Sequence, residues 1–540
     1  MRMLLRLPLI VILAGITALA MAVPGLHAHA LDDHRIGSIF LGAAGLWLLL
    51  CAILGLATAD APQEARPRAV LLTMLGTMTL LPAIMAVPFA MALPDTGFLN
   101  AWWEMVSCLT TTGASLYSAE LLAPSLHLWR AIVGWLGGLF MLVAAISLLA
   151  PLRVGGFEIM AMPYGRSERF ERLPRPAELP SIVTHLSPPT FDTELVDPVS
   201  RAYRAVRVVF PVYAGLTLAM WVLLLMLGET GLVALTRAMG TLSTSGISPV
   251  SGPAGQASGI AGEVVIFLFL IPALSRRFWP GGGELTISER WRGDPELQMA
   301  AGVVLLVSAM LFARHFLGAI GVTPGGGTGF LTTLDSALSA AWGGIFNGLS
   351  YLTTTGWNSI EWQGARNWSG LSSPGLILAG LAMMGGGVAT TAGGVKLLRV
   401  YALARHSQRE VERIVHPTSV GGGGLLARRL RREGAYLAFI FFMLFASSIA
   451  VVVMLISLQE IEFDSATILS ISALTNTGPL AGAIPLTPTF QGSAGMAGAP
   501  WQGWAGLPGV TKAILAGAMI VGRVETLALL ALLSPEYWRR

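Results

Sequence analysis

Apolar windows of two lengths alternate with short polar stretches along nearly the whole chain. The long windows, at 36–56, 69–91, 126–152, 210–227, 299–320, 436–458 and 510–533, approach the roughly 20 residues a helix needs to cross a ~30 Å hydrocarbon core. A further apolar run lies within residues 1–30. The short windows, at 99–109, 231–242 and 464–474 with a fourth inside 334–352, would as helices rise only ~15 Å, half the thickness of that core. Each short window ends in hydroxyl residues and a glycine and then a polar turn, at 110–115, 243–248, 353–359 and 475–478. The predicted unit is span, half-helix, turn and return span, and it occurs four times. The second return, at 262–274, is short; the third, at 371–404, is overlong.

The turns are echoes of one another. Thr110-Thr111-Thr112-Gly113 is nearly copied as Thr353-Thr354-Thr355-Gly356, and more loosely as Ser243-Thr244-Ser245-Gly246 and Thr475-Asn476-Thr477-Gly478. One such string is an ordinary helix terminus, whereas four in matching context are an internal repeat. The overlong third return is interrupted: Gly385-Gly386-Gly387 and Gly393-Gly394 bracket residues 388–392, which include Thr390 and Thr391. Glycine costs a helix about 1 kcal/mol per residue relative to alanine, so this span breaks.

Composition makes the membrane reading firm. The chain of 540 residues is 54% hydrophobic and only 12% charged, with mean hydropathy +0.68; soluble domains carry about 25% charge. The alternation of a barrel is missing, so the fold class predicted is an all-α polytopic membrane protein. A net charge of +4 could suggest nucleic acid, but the basic residues cluster between apolar windows and read as topology signals. They are abundant in the stretches expected inside, such as 153–207 and 399–432, and scarce in those expected outside, where Arg237 and Arg366 fall. Cys51 and Cys108 lie in apolar segments without metal-ligand spacing and read as packing residues. The first 30 residues fit a cleavable secretory signal or an uncleaved span. The glycine cluster lacks a preceding strand and a GK[ST] sequence, which argues against a nucleotide loop, and no Walker motif lies elsewhere.

These boundaries divide the chain into N-terminal extra spans (1–66), a first pore repeat (67–155), a cytoplasmic loop (156–200), a second repeat (201–280), a third with the broken span (281–405), a basic cytoplasmic loop (406–431) and a fourth repeat (432–540). The repeated turn has the chemistry of a cation filter. A dehydrating monovalent ion needs several oxygen dipoles at once, which backbone carbonyls from four re-entrant loops supply without a buried formal charge. Glycine permits the backbone angles required, hydroxyls add oxygens, and each half-helix directs its negative end at the ion.

The sequence resembles the Trk/Ktr/HKT superfamily of potassium transporters, and within it the TrkH-like pore-forming subunit. The resemblance covers nearly the whole chain. Beyond the four turns it is carried by Trp129-Arg130, by the Trp135 to Gly138 segment and Gly155-Gly156, by Gly385 to Val400 and Leu474 to Gly482, and by Met519 to Glu525. It implies a potassium-binding filter of Thr111, Thr112, Gly113, Thr244, Ser245, Gly246, Thr354, Thr355, Gly356, Asn476, Thr477 and Gly478. Glycine at position 113 implies potassium, since a serine there accompanies sodium permeation in related plant transporters. The second turn departs from the family form, reading TSGIS where TGGFS is usual.

The resemblance also implies a gate at Gly385, Gly386, Gly387, Thr390, Thr391, Gly393 and Gly394, with Lys396 anchoring it and Arg523 close to it. The expected assembly is a homodimer in the bacterial cytoplasmic (inner) membrane, with a cytoplasmic C-terminus, one pore per protomer and a TrkA-like nucleotide-binding regulatory subunit docked on basic loops at 276–292 and 396–432. No cofactor is expected in the chain itself, and potassium is the substrate. A buried Arg523 would need the pore or a partner such as Glu525, and Glu104 is expected to brace the first turn. The alternatives are a sodium-permeable or sodium-coupled transporter and, in another class, an ion-coupled solute carrier. The carrier predicts paired broken spans in an inverted repeat, unlike four half-helices in one order. An intramembrane enzyme is disfavoured because the spans lack paired acids and metal-ligand histidines.

Overall fold

The computed structural model describes residues 7–58, 67–150, 198–280, 291–322, 330–362, 375–416, 434–486 and 503–524. Gly155-Gly156, Arg366, Glu525, residues 153–197 and 417–432 of the two basic stretches and the end of the last span lie outside the described residues.

The described residues form fifteen α-helices, in order: α1 Leu9–Ala30, α2 His34–Thr58, α3 Pro67–Ala92, α4 Phe98–Leu109, α5 Pro124–Ala144, α6 Pro198–Met226, α7 Gly231–Leu242, α8 Gly259–Leu270, α9 Pro295–Val322, α10 Phe330–Leu352, α11 Gly375–Met384, α12 Leu397–Val415, α13 Ala435–Ser457, α14 Phe463–Leu474 and α15 Gly509–Val524. Among the described residues, seven helices are long and apolar enough to cross a membrane. Three of the half-helices, α4, α7 and α14, have 12 residues each, a rise of about 18 Å. The fourth is the inner end of the longer α10, 23 residues in all.

Helix α6 begins at Pro198, before the apolar window, so Arg201, Arg204 and Arg207 lie on its first turns rather than in a loop. Arginine is a good helix former, and polarity alone does not stop a helix. Arg237 also leaves the external loop expected for it: it sits inside α7, buried. The N-terminal apolar run forms α1, which packs on α2 and α5.

The four units close on themselves. The return helix of each packs against the half-helix of the next: α5 on α7, α8 on α10, α11 on α14, and α15 back on α4. Within units one and four, the return helix also lies close to its own half-helix. A Cβ added at Gly137 or Gly522 would fall 2.0 or 2.1 Å from the carbonyl oxygen of Leu109 or Leu474, the last residue of the half-helix. The third return is broken between α11 and α12. The first carries a π-helical turn at Ala145–Leu149, a feature found mostly where function bends a helix.

Candidate functional site

All four half-helices end in the same way. In each, a residue at positive φ follows the helix cap: Thr111 (56°), Thr244 (53°), Thr354 (59°) and Asn476 (56°). The next N–H reaches back to the carbonyl five residues earlier: Thr112 to Ser107 (2.9 Å), Ser245 to Gly240 (2.8 Å), Thr355 to Ser350 (3.0 Å) and Thr477 to Ser472 (2.9 Å). This is the Schellman termination, which usually falls on glycine. A β-branched residue there is an outlier that costs on the order of 1–3 kcal/mol. Three threonines accept that strain at equivalent positions, and only surrounding packing holds such a conformation. A hydroxyl pair supports each turn: Thr110 with Thr112 (2.8 Å), Ser243 with Ser245 (2.9 Å), Thr353 with Thr355 (3.1 Å) and Thr475 with Thr477 (3.2 Å).

The turns then meet in a ring. A Cβ on Gly113 would lie 1.7 Å from the Ser245 carbonyl oxygen, and one on Gly246 2.2 Å from that of Thr355. On Gly356 it would meet the Pro479 ring at 2.8 Å, and on Gly478 the Ala114 nitrogen at 2.2 Å. Each loop glycine thus faces the next loop, in the order one, two, three, four, one. The second turn keeps the backbone of the first and third despite its divergent sequence. The fourth is the one that departs. Its Gly478 N–H leaves its own helix and donates to the Thr112 carbonyl (2.6 Å), while Asn476 Nδ2 donates to Thr112 Oγ1 (3.0 Å) and to the Met519 carbonyl (2.9 Å). Asparagine stands there because that position must sew the last loop to the first.

Behind the ring, the residue six before each turn decides how the chain beyond the glycine is held. In the first unit Glu104 accepts from the Leu116 N–H (2.9 Å) and pairs with Arg130 (2.7 Å), both buried. In the third, Asn347 accepts from the equivalent Ser359 N–H (2.9 Å). In the second the equivalent residue is Pro249, which has no N–H, and the brace position is the donor Arg237, turned to Glu229 (2.5 Å) and the Pro253 carbonyl (3.4 Å). In the fourth, Ala481 lies within a 3-10 helix, Gly478–Leu486, whose own bonding serves its backbone; the residue six before this turn is the buried Leu469. Glu263 of α8 spans units, accepting from Trp342 Nε1 (2.8 Å) and Ser359 Oγ (2.7 Å). Asn347 and Glu263 escaped sequence reasoning. Lining up the residues six before each turn would have found Asn347, but nothing local marks Glu263.

The glycine-rich break touches this ring. The Gly393 N–H donates to Thr354 Oγ1 (2.8 Å), and a Cβ on Gly393 would lie 2.2 Å from the Thr475 carbonyl. Gly387 N–H and Thr390 Oγ1 both donate to the Ala273 carbonyl (2.9 and 3.0 Å), and Lys396 Nζ to the Ala392 carbonyl. Arg523 lines one small cavity of about 20 Å³ together with Thr390, Gly393, Gly394 and Lys396. Its Nε and Nη2 are buried with no hydrogen-bond partner among the described residues. Thr391, also buried, does not line that cavity.

A helical membrane protein in which four re-entrant half-helices close a ring of loops over a broken span is thereby defined. Residues 297–540 match the family model described as TrkH, a cation transport protein. The chain is similar to the Trk system potassium uptake protein TrkH of Salmonella typhimurium, 26% identical, with 96% of each chain covered. It is 24% identical to the Trk system potassium uptake protein TrkI of Halomonas elongata, covering 93% of this chain and 89% of that one. The crystal structure of the potassium transporter TrkH from Vibrio parahaemolyticus has the same fold, with a TM-score of 0.74 and 22% identity over 98% of both chains. The chain is thus similar in sequence to TrkH proteins and shares the fold of that crystal structure.

Proposed function

We propose that the chain conducts potassium into the cell through the ring of four loops. The observation that carries this reading is the repeated half-helix end: four helix termini of one geometry, rich in hydroxyls, with each loop packed on the next. Helix C-termini carry partial negative charge, and carbonyl rings replace a hydration shell without formal charge. Thr111 Oγ1, buried with no partner among the described residues, is an oxygen suited to such an ion. The filter residues are Thr111, Thr112, Gly113, Thr244, Ser245, Gly246, Thr354, Thr355, Gly356, Asn476, Thr477 and Gly478. Entry is driven by the membrane potential, about 2.3 kcal/mol per charge per 100 mV.

The segment from Gly385 to Gly394 is the gate, with Lys396 anchoring it and Arg523 set against it. In support, the segment is tied to Thr354 on one side and to Ala273 on another, and it lacks helical bonding of its own. The protein works as a homodimer in the cytoplasmic membrane with its C-terminus inside, and a nucleotide-binding regulatory subunit acts on the broken span. Gly113 favours potassium over sodium. The test is growth of potassium-uptake-deficient cells in low potassium, with the regulatory partner supplied. Wild type should restore growth, and Gly113→Ser should admit sodium. Absence of uptake by the wild type would count against the reading.

A further inference from the structure

Glu296 stands in the second residue of α9, is 3% exposed, and plays no part in the ring. A carboxylate is rarely buried without partners. Its Oε1 accepts from the Val388 N–H at 2.7 Å, 92 residues along the chain and inside the glycine-rich break. The backbone N–H of Arg276 is also a partner, and Lys396 lies within electrostatic reach.

The carboxylate is set in place by what precedes it. Asp294 caps α9: its Oδ1 accepts from the Glu296 N–H (3.0 Å), while its Oδ2 takes Ser275 Oγ (2.7 Å) and Arg277 Nε (3.1 Å). The corner at Ser275 to Arg277, the cap and the start of α9 thus form one rigid piece, and Glu296 is its projection into the break. The other limb of the break is tied differently. Lys396 Nζ bonds the Ala392 carbonyl, and Gly393 bonds the ring through Thr354.

We propose that Glu296 is a positioning residue for the gate: the Asp294-capped start of α9 holds its carboxylate on the Val388 N–H and so latches the glycine segment shut. This rests on reading residues 385–394 as the gate. The latch works through an acceptor atom at one place, and that makes it separable from a general need for charge or bulk. A hydrogen bond inside a protein is strong because both partners are withdrawn from water. Removing the acceptor leaves Val388 unsatisfied when the segment is shut, which shifts the population toward the open arrangement.

The test uses the full-length protein in liposomes with no other protein present, measuring thallium influx, and separately the rise in melting temperature on adding potassium. Glu296→Ala should raise basal influx by about tenfold, the shift expected from losing one buried hydrogen bond, with the potassium-dependent stabilisation kept. Glu296→Gln retains an oxygen for the Val388 N–H and should stay near the wild type. Should Glu296→Ala not hold its fold, Asp294→Ala, which leaves the carboxylate but removes its cap, should raise influx in the same direction by less. A stable Glu296→Ala with wild-type influx, a Glu296→Gln that opens as far as alanine, or no rise with Asp294→Ala each overturns the latch. Failure of potassium to stabilise even the wild type would instead count against the proposed conduction.

Discussion

Units one and three of the ring are braced from behind by a side-chain acceptor, and units two and four are not. The half-helix ends are alike in all four, so the difference lies outside the turn, in whether the chain three residues past the glycine presents an N–H that needs a partner. Leu116 and Ser359 do, and Glu104 and Asn347 serve them. Pro249 has no N–H and Ala481 is inside a 3-10 helix, so the equivalent positions were released to become Arg237 and Leu469. A pseudosymmetric scaffold keeps its backbone while each quarter satisfies its hydrogen bonds locally, because a buried unsatisfied N–H costs about 1–3 kcal/mol.

Substitutions at the four brace positions can break or sharpen this contrast. The largest effect should come from Glu104→Leu, which leaves Arg130 buried without its partner and should cost about 3–5 kcal/mol of stability. Adding Arg130→Met should recover much of that cost in denaturation of the purified protein, since an apolar pair can replace a buried ion pair. Failure to recover would show that the Leu116 N–H, rather than the charge pair, is what matters. Asn347→Leu should cost about 1–3 kcal/mol, the penalty of the Ser359 N–H left unpaired, read in the same unfolding experiment. If its cost fell to nothing, the brace in unit three would be ornamental.

Asn476→Ala tests the seam between the fourth and first loops. It deletes two neutral hydrogen bonds, worth about 1 kcal/mol each, and should lower potassium-dependent stabilisation and discrimination against sodium in competition flux before it lowers expression. Leu469→Met should have the smallest effect, under about 1.5 kcal/mol, because nothing in unit four depends on a polar group there. A larger loss would mean that the position is under a constraint of its own.

Much of this was legible along the chain. The half-helices were read to within one residue at α4, α7 and α14 because their apolar windows end abruptly in hydroxyl residues. The break in the third return was legible because five glycines cannot hold a helix. Other features were not. The start of α6 is not legible, since arginines continue a helix as readily as they decorate a loop. Nor is the burial of Arg237, because topology rules count charges without seeing partners; Glu229 is eight residues away and meets it only through the fold.

The sequence by itself determined the class of protein, the four repeats and the place where a span must break, since these follow from window length, glycine content and self-similarity, all local properties. The tertiary structure alone decided that the fourth turn rather than the second is the irregular quarter. It also decided that Glu263 of unit two serves unit three and that Glu296 reaches Val388 across 92 residues. Such bonds join groups far apart in sequence, and each exists only because the fold buries both partners where no water can replace either.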